Sequence, residues 1–199
     1  MRTDYLNPQI YNRLYGVMTY DNVLALRVSL ETGLRIDDVL SLKRDDLTGR
    51  TISGTAEKTG KPYKKSISQD LANRLKGLRR EGFLFPHRTK PGEHRTRQAV
   101  WANMKKAAKV LDIELNAAPH SARKTYAVEV FKDRGLGAAQ KELQHDRVST
   151  TMLYAFSDML SCNSTKNNKS VVNTTDLELF ADLVAEKVVK KLEKNKNPA

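Results

Sequence analysis

Apolar positions recur at helical spacing along most of the chain and change character once, near residue 51. Asn7-Pro8 reads as an N-cap followed by proline at the first helical position, opening a helix that runs through Leu14 and stops at Gly16. A second helix is expected from Asp21 to Thr32, with Leu24 and Val28 on one face and Gly33 as its stop. Leu34–Leu42 follows as a short helix whose Ile36, Val39, Leu40 and Leu42 face inward. The runs Thr51–Ala56 and Pro62–Ile67 are β-prone and flank Glu57-Lys58-Thr59-Gly60-Lys61, which predicts a hairpin. Helical spacing returns over Gln69–Leu78, Arg97–Leu111, Ser121–Asp133, Ala138–Gln144 and Ser149–Phe156.

Residues 157–174 are rich in Ser, Asn, Thr and Lys and read as a linker between a body, 1–156, and a final helix, 175–194. Thr175 and Glu178 have capping-box spacing there, and Leu177, Phe180, Leu183 or Val184, Val188 and Leu192 form an apolar stripe. That helix is amphipathic and detached from the body.

Composition sharpens the picture through charge. The chain has 199 residues with 35 Lys or Arg against 23 Asp or Glu, a formal net charge of +12, and residues 155–199 are nearly neutral. The positive charge therefore belongs to the body, and a polyanion is its natural partner, nucleic acid before an anionic membrane surface. No apolar window reaches the length of a membrane span and the first residues have no apolar signal-peptide core. One cysteine, Cys162, allows neither an intrachain disulfide nor a paired-thiolate zinc site, so a reducing, cytoplasmic location is expected.

Several side chains ask for a chemical explanation. Arg35 lies between a helix stop and an apolar helix, and Arg123 follows His120 by three residues in an apolar stretch. A guanidinium in such a setting must be paired or face a ligand, and Asp38, three residues on, is the plain partner for Arg35. His120 alone suits a satisfied core histidine. Trp101 and Phe131, at helical positions, read as core. His87 and His94 bracket a basic stretch with Arg88, Lys90, Arg95 and Arg97, which suits contacts to a nucleic-acid backbone better than a metal site.

Taken in order, Thr32-Gly-Leu-Arg35, Lys58-Thr-Gly60, His120-Ser-Ala-Arg123, and Leu143-Gln-His145 with Tyr154 nine residues later form a set that resembles the catalytic domain of the tyrosine recombinase (phage integrase) family. The resemblance covers about residues 5–156. Gln144, Ala122 and Lys124 depart from residues common in that family, and none of them belongs to the set of six. The fold implied is α+β, a mostly α-helical catalytic domain with a small antiparallel β-sheet, followed by the C-terminal amphipathic helix.

The resemblance implies cutting and rejoining of duplex DNA through a 3′-phosphotyrosine, without metal or other cofactor. Tyr154 is then the nucleophile; Arg35 and Arg123 clamp the non-bridging oxygens as charge develops. His120 accepts the phenolic proton, Lys58 protonates the leaving 5′ oxygen and His145 donates a hydrogen bond to the phosphate. Lys61, Lys64 and Lys65 compete with Lys58 for the phosphate, and otherwise join Arg88, Lys90, Arg95 and Arg97 as DNA-binding cations. Tyr126 competes with Tyr154, although Val128 and Val130 beside it suggest packing. The implied assembly is a homotetramer on double-stranded DNA, nucleoid-associated in a bacterial or phage setting; the C-terminal helix docks either on its own body or, as the resemblance implies, on a neighbouring protomer. A further domain is expected before the body, either removed or naturally absent. Two rivals stand beside this reading: a type IB topoisomerase relaxing DNA alone, and a non-catalytic basic DNA-binding protein.

Overall fold

Residues 3–143, the part of the chain described by a computed structural model, hold six α-helices and a three-stranded antiparallel sheet. In order they are α1 (Pro8–Tyr15), α2 (Tyr20–Thr32), α3 (Ile36–Leu40), β1 (Leu47–Thr48), β2 (Thr51–Thr55), β3 (Pro62–Ser66), α4 (Gln69–Gly77), α5 (Arg97–Val110) and α6 (Pro119–Leu143). The chain divides into two compact units, Met1–Ala127 and Val128–Ala199. The expected helix over Ser149–Phe156, the linker and the C-terminal helix lie outside the described residues.

Caps set several helix starts. The Asn7 side chain accepts from Ile10 N at 2.9 Å and Pro8 occupies the first helical position, where its missing N–H costs nothing. Ser68 and Thr96 cap α4 and α5 in the same way, accepting from Leu71 N at 3.3 Å and Ala99 N at 3.2 Å. Helix α2 differs from the rest because Leu24, Ala25, Leu26, Val28, Ser29 and Thr32 are all buried. A helix covered on nearly every side is the centre of its unit. It packs against α3, α4 and β3, and α5 packs against α1 and α3. Leu14, Leu40, Leu71, Phe85, Val100 and Met104 fill the space between them.

The sheet runs β1-β2-β3, with Leu47 opposite Ile52, and Thr51 through Thr55 opposite Ser66 through Pro62. The hairpin matches its sequence expectation, while the two-residue β1 is additional. Gly54 faces Tyr63 across the hairpin, and a Cβ there would lie 2.7 Å from the tyrosine oxygen. Glycine is what lets the Tyr63 ring lie flat over the strand. Burial, then the carboxylates of Asp38 and Asp46, push the pKa of that hydroxyl up to about 12, so it stays protonated.

A polar network braces one edge of the unit. Asp21 receives Arg80 at 3.0 Å and Arg95 at 2.9 Å; Arg95 also donates to Asn22 at 2.7 Å, and Asn22 donates to Asn103 at 2.8 Å. In the second unit, residues 128–143 contain Gly135 at φ 77°, ψ −179°, a break between two helical stretches that agrees with the expected end at Asp133 and restart at Ala138. Arg134 pairs with Glu142 at 3.2 Å across that break. Among the described residues no helix is long and apolar enough to cross a membrane.

Candidate active site

The Thr32-Gly33-Leu34-Arg35 sequence forms a tightly tied turn. Gly33 closes α2 in the left-handed region at φ 71°, and its N–H reaches Ser29 O at 2.9 Å. The Ser29 hydroxyl donates to Leu34 O at 2.8 Å, and the Thr32 hydroxyl, itself bonded to Val28 O at 2.6 Å, accepts from Leu34 N at 3.2 Å. Two buried hydroxyls thus satisfy the backbone that a glycine turn would otherwise leave unpaired. The turn delivers Arg35 as the N-cap residue of α3, half-buried, with extended backbone.

Arg123 enters from the first turns of α6. Its side chain is buried and donates to the carbonyl of Gly33. The two arginines, 88 positions apart in the chain by their numbers, are therefore joined through the Gly33 carbonyl and the two peptide units that lead from it to Arg35. The neighbouring Lys124 is buried and donates to Thr3 O at 3.2 Å, while the Thr125 hydroxyl donates to Leu6 O at 2.9 Å. Lys124 and Ala122, both departures from the family pattern, are buried at this start of α6.

A cavity of about 1060 Å³ opens beside this turn, and Arg35, Lys58, His94, Arg97 and His120 line it. Lys58 stands exposed on the β2–β3 turn, where Gly60 at φ 63° returns its N–H to Ala56 O at 2.8 Å. Asp38 does not pair with Arg35 as the sequence suggests. Its buried Oδ1 accepts from Glu57 N at 2.9 Å, the residue before Lys58, and its Oδ2 is buried without a partner. An acidic residue on α3 therefore holds the hairpin tip, a link that the spacing from Arg35 concealed. Asp37 pairs with Arg97 at 3.5 Å, again from α3.

His120 reaches the cavity from the N-terminus of α6 with an exposed edge. Protein packed around the rest of the ring lowers its pKa, and the charges of Arg123, Arg35, Lys124 and Arg97 lower it further, so the imidazole is neutral at pH 7. A neutral imidazole can act as a proton acceptor, and the neighbouring guanidiniums lower its affinity for the proton.

The other predicted cations divide. Lys61 and Lys64 are exposed on the hairpin, and Lys65 lies 5.9 Å from the centroid of Tyr126, which is half-buried. Arg88 and Lys90 are exposed in the loop before α5, with Lys90 3.7 Å from Glu93. Arg95 turns inward to Asp21 and Asn22, a structural role where DNA contact was expected, because its side chain is only 17% exposed. His87 Nδ1 accepts from Lys90 N at 3.1 Å and organises the same loop. Phe131 is buried as expected, whereas Trp101, expected in the core, is exposed and lines the cavity. His145 and Tyr154 lie outside the described residues. Among the described residues no group of three His, Cys, Asp or Glu side chains is arranged to hold a metal.

Comparisons with known proteins bear on the family and the fold. The model of the phage integrase family matches residues 4–161. The integrase of Escherichia phage P2 is 28% identical over 154 residues, 77% of this chain and 43% of that protein. Tyrosine recombinase XerD of Listeria monocytogenes is 30% identical over 145 residues, 65% of this chain and 48% of that protein. The chain spans about half the length of these curated relatives. Among solved structures, the catalytic domain of bacteriophage HP1 integrase superposes with a TM-score of 0.61 at 22% identity, covering 85% of this chain and 98% of that one. A lambda integrase dimer bound to a core site gives a TM-score of 0.67 at 17% identity, covering 87% of this chain and 52% of that one.

Proposed function

This chain belongs to the phage integrase family, and from that membership we propose that it is the catalytic domain of a site-specific recombinase that cuts and rejoins duplex DNA through a 3′-phosphotyrosine. The observation that carries the reading is the cavity in which Arg35, Lys58 and His120 meet, with Arg123 tied by the Gly33 carbonyl to the turn that presents Arg35. These are four of the six residues that the chemistry requires, and they come from three separated stretches of sequence.

In the proposed reaction the Tyr154 oxygen attacks the scissile phosphorus as His120 takes the phenolic proton. The bond from phosphorus to the 5′ oxygen breaks, and Lys58 supplies the proton that this oxygen needs. Arg35 and Arg123 hold the non-bridging oxygens most tightly when their charge is greatest, which is the form of stabilisation that lowers a barrier. His145 donates to the same phosphate. Rejoining reverses each proton transfer, and the phosphotyrosine conserves the energy of the broken bond.

Exposed Lys61, Lys64, Arg88 and Lys90 would meet flanking phosphates. The protein would act in the cytoplasm as a homotetramer on DNA, with segment 175–194 docking on a neighbouring protomer. The apolar stripe of that segment, which needs burial, and its reach through the 157–174 linker support this assembly.

The test is incubation with nicked duplexes carrying a candidate site, followed by detection of covalent protein–DNA adducts. Wild type should form adducts and Tyr154→Phe should form none while binding DNA with unchanged affinity. A duplex with sulfur at the bridging 5′ position should restore cleavage to Lys58→Ala and not to Arg35→Ala. Adducts surviving in Tyr154→Phe would move the nucleophile elsewhere.

A further inference from the structure

His94 lines the cavity, and the proposed reaction leaves it unused. It sits in the loop before α5, where the backbone is pinned on both sides of it. His87 N donates to Glu93 O at 2.8 Å, and Arg95 N donates to Phe85 O at 2.7 Å. The half-buried ring stands edge-on to Phe83, with the centroids 5.4 Å apart. Its Nδ1 lies 2.9 Å from the carbonyl oxygen of Arg95. A carbonyl oxygen only accepts, so Nδ1 carries the hydrogen of that bond, and the neutral ring is fixed in one tautomer. Nε2 makes no hydrogen bond among the described residues and is the nitrogen left for a ligand. Of the charged groups around the ring, Lys43 Nζ lies 5.8 Å from the centroid of the same Phe83. Arg35, Lys58, Arg97 and His120 share the cavity wall with His94, as do the carboxylates of Asp37, Asp38 and Glu57. Asp37 is taken by Arg97 at 3.5 Å, and Asp38 by Glu57 N at 2.9 Å. In the loop itself Glu93 lies 3.7 Å from Lys90, and Arg95 is turned to Asp21. Among the described residues no carboxylate is bonded to His94.

We propose that His94 Nε2 binds a backbone phosphate of the DNA in this cavity and takes up a proton as it does so, which makes DNA binding proton-linked. The inference rests on the reading of the cavity as a site for duplex DNA. A phosphodiester oxygen offers only lone pairs, and the neutral ring, with its hydrogen held on Nδ1, offers a lone pair at Nε2. The two repel. A proton on Nε2 turns the same nitrogen into a charged donor, and the contact becomes a charge-assisted hydrogen bond. The phosphate thereby holds the proton on the ring, and by reciprocity the proton strengthens the hold on the phosphate. The sign follows directly. This part of the affinity is present while the bound ring is protonated and is lost as pH rises through the midpoint of the complex. Because the loop is pinned by its own backbone bonds, the ring needs no rearrangement to make the contact, only the proton.

The experiment measures the affinity of the full chain for a duplex carrying a candidate site, at fixed salt, from about pH 6 to about pH 8. Wild type is compared with His94→Asn, whose amide can keep the bond to the Arg95 carbonyl, and with His94→Gln, whose amide offers a neutral donor near Nε2 at every pH. Wild type should lose more affinity over this range than either variant, by up to about tenfold for each unit by which DNA raises the ring's midpoint. His94→Gln should at least match wild type at the alkaline end, and His94→Asn should be the weaker at the acid end. His87 and His120 are present in all three proteins, so their titration cancels in the comparison. Methylphosphonates that remove the charge of one phosphate at a time should bring the wild-type slope down to that of the variants at one position. In wild type alone, the NMR signal of the His94 ring should titrate at higher pH with DNA than without, a readout that does not depend on how the variants fold. A wild-type slope no steeper than that of the variants, no single phosphate that removes it, or a ring midpoint that DNA leaves unmoved would overturn the proposal. Adduct formation, scored separately, keeps the two readings apart. Adducts with equal slopes sink only the role of His94, whereas a steeper wild-type slope without adducts sinks only the strand-transfer chemistry. A wild-type chain that binds no duplex sinks both.

Discussion

At the scale of single residues the behaviour of the site turns on what surrounds each side chain. His120 is held below the ordinary imidazole value of about 6.5 by surrounding protein and then by Arg123 and its neighbours. In the free protein its ring signal in an NMR titration should therefore move at a pH below that value. Arg123→Ala should shift the midpoint upward, and an unmoved midpoint would remove Arg123 as a cause. The folded state binds this proton less readily than the unfolded chain, so the contribution of His120 to stability is intact above the unfolded value and falls as pH drops through it toward the folded one. Asp38 makes a second case. Asp38→Ala removes the acceptor for Glu57 N, leaving that donor unpaired at a cost of about 1–3 kcal/mol. It should also loosen the hairpin tip, so its cleavage defect should be relieved by the bridging-sulfur duplex, as for Lys58→Ala. A defect that sulfur does not relieve would place Asp38 outside the positioning of Lys58.

Elements were legible where local chemistry decides them. Asn7-Pro8, Gly33 and the hairpin runs each specify a start, a stop or a turn through groups within a few residues, and each element stands where they imply. Sequence reasoning failed where a partner is distant. Arg95 reads as a surface cation until Asp21, brought beside it by the fold, takes its guanidinium at 2.9 Å. Trp101 reads as core because its helix has an apolar face, yet the buried face is that of Val100 and Met104. The link from Asp38 to the hairpin crosses 19 positions to a backbone N–H, which no pattern of side chains announces. At this scale the turn after α2 can be tested directly. Gly33→Ala puts a Cβ into the left-handed region and should cost about 1–2 kcal/mol, read as a lowered denaturation midpoint. A neutral result would mean that the turn relaxes to another geometry.

For the whole molecule, the family was readable because six residues of four types appear in one order, and four of the six lie among the described residues while His145 and Tyr154 fall outside them. The division of labour among the cations was not readable, since net charge alone does not tell a DNA contact from an internal strut. Salt dependence separates them. Binding should weaken with log[salt] at a slope near −0.9 per phosphate contact. Arg88→Ala with Lys90→Ala should flatten that slope by about one to two contacts without altering the melting midpoint. Arg95→Ala should do the reverse, leaving the slope and lowering stability by about 1–3 kcal/mol. If Arg95→Ala flattened the slope instead, its bond to Asp21 would have to open on DNA.

The bond from Arg123 to the Gly33 carbonyl makes the two guanidiniums parts of one jaw. Removing Arg123 frees the hinge on which Arg35 is mounted, so part of what Arg35 contributes is already lost before it is touched. In a double-mutant cycle on the cleavage rate, Arg35→Ala and Arg123→Ala should therefore lose less together than the sum of their separate losses. Full additivity would show two independent contacts. Sub-additivity would mean that substitutions at Ser29, Thr32 or Gly33, which never touch DNA, tune catalysis by setting the angle at which the jaw closes.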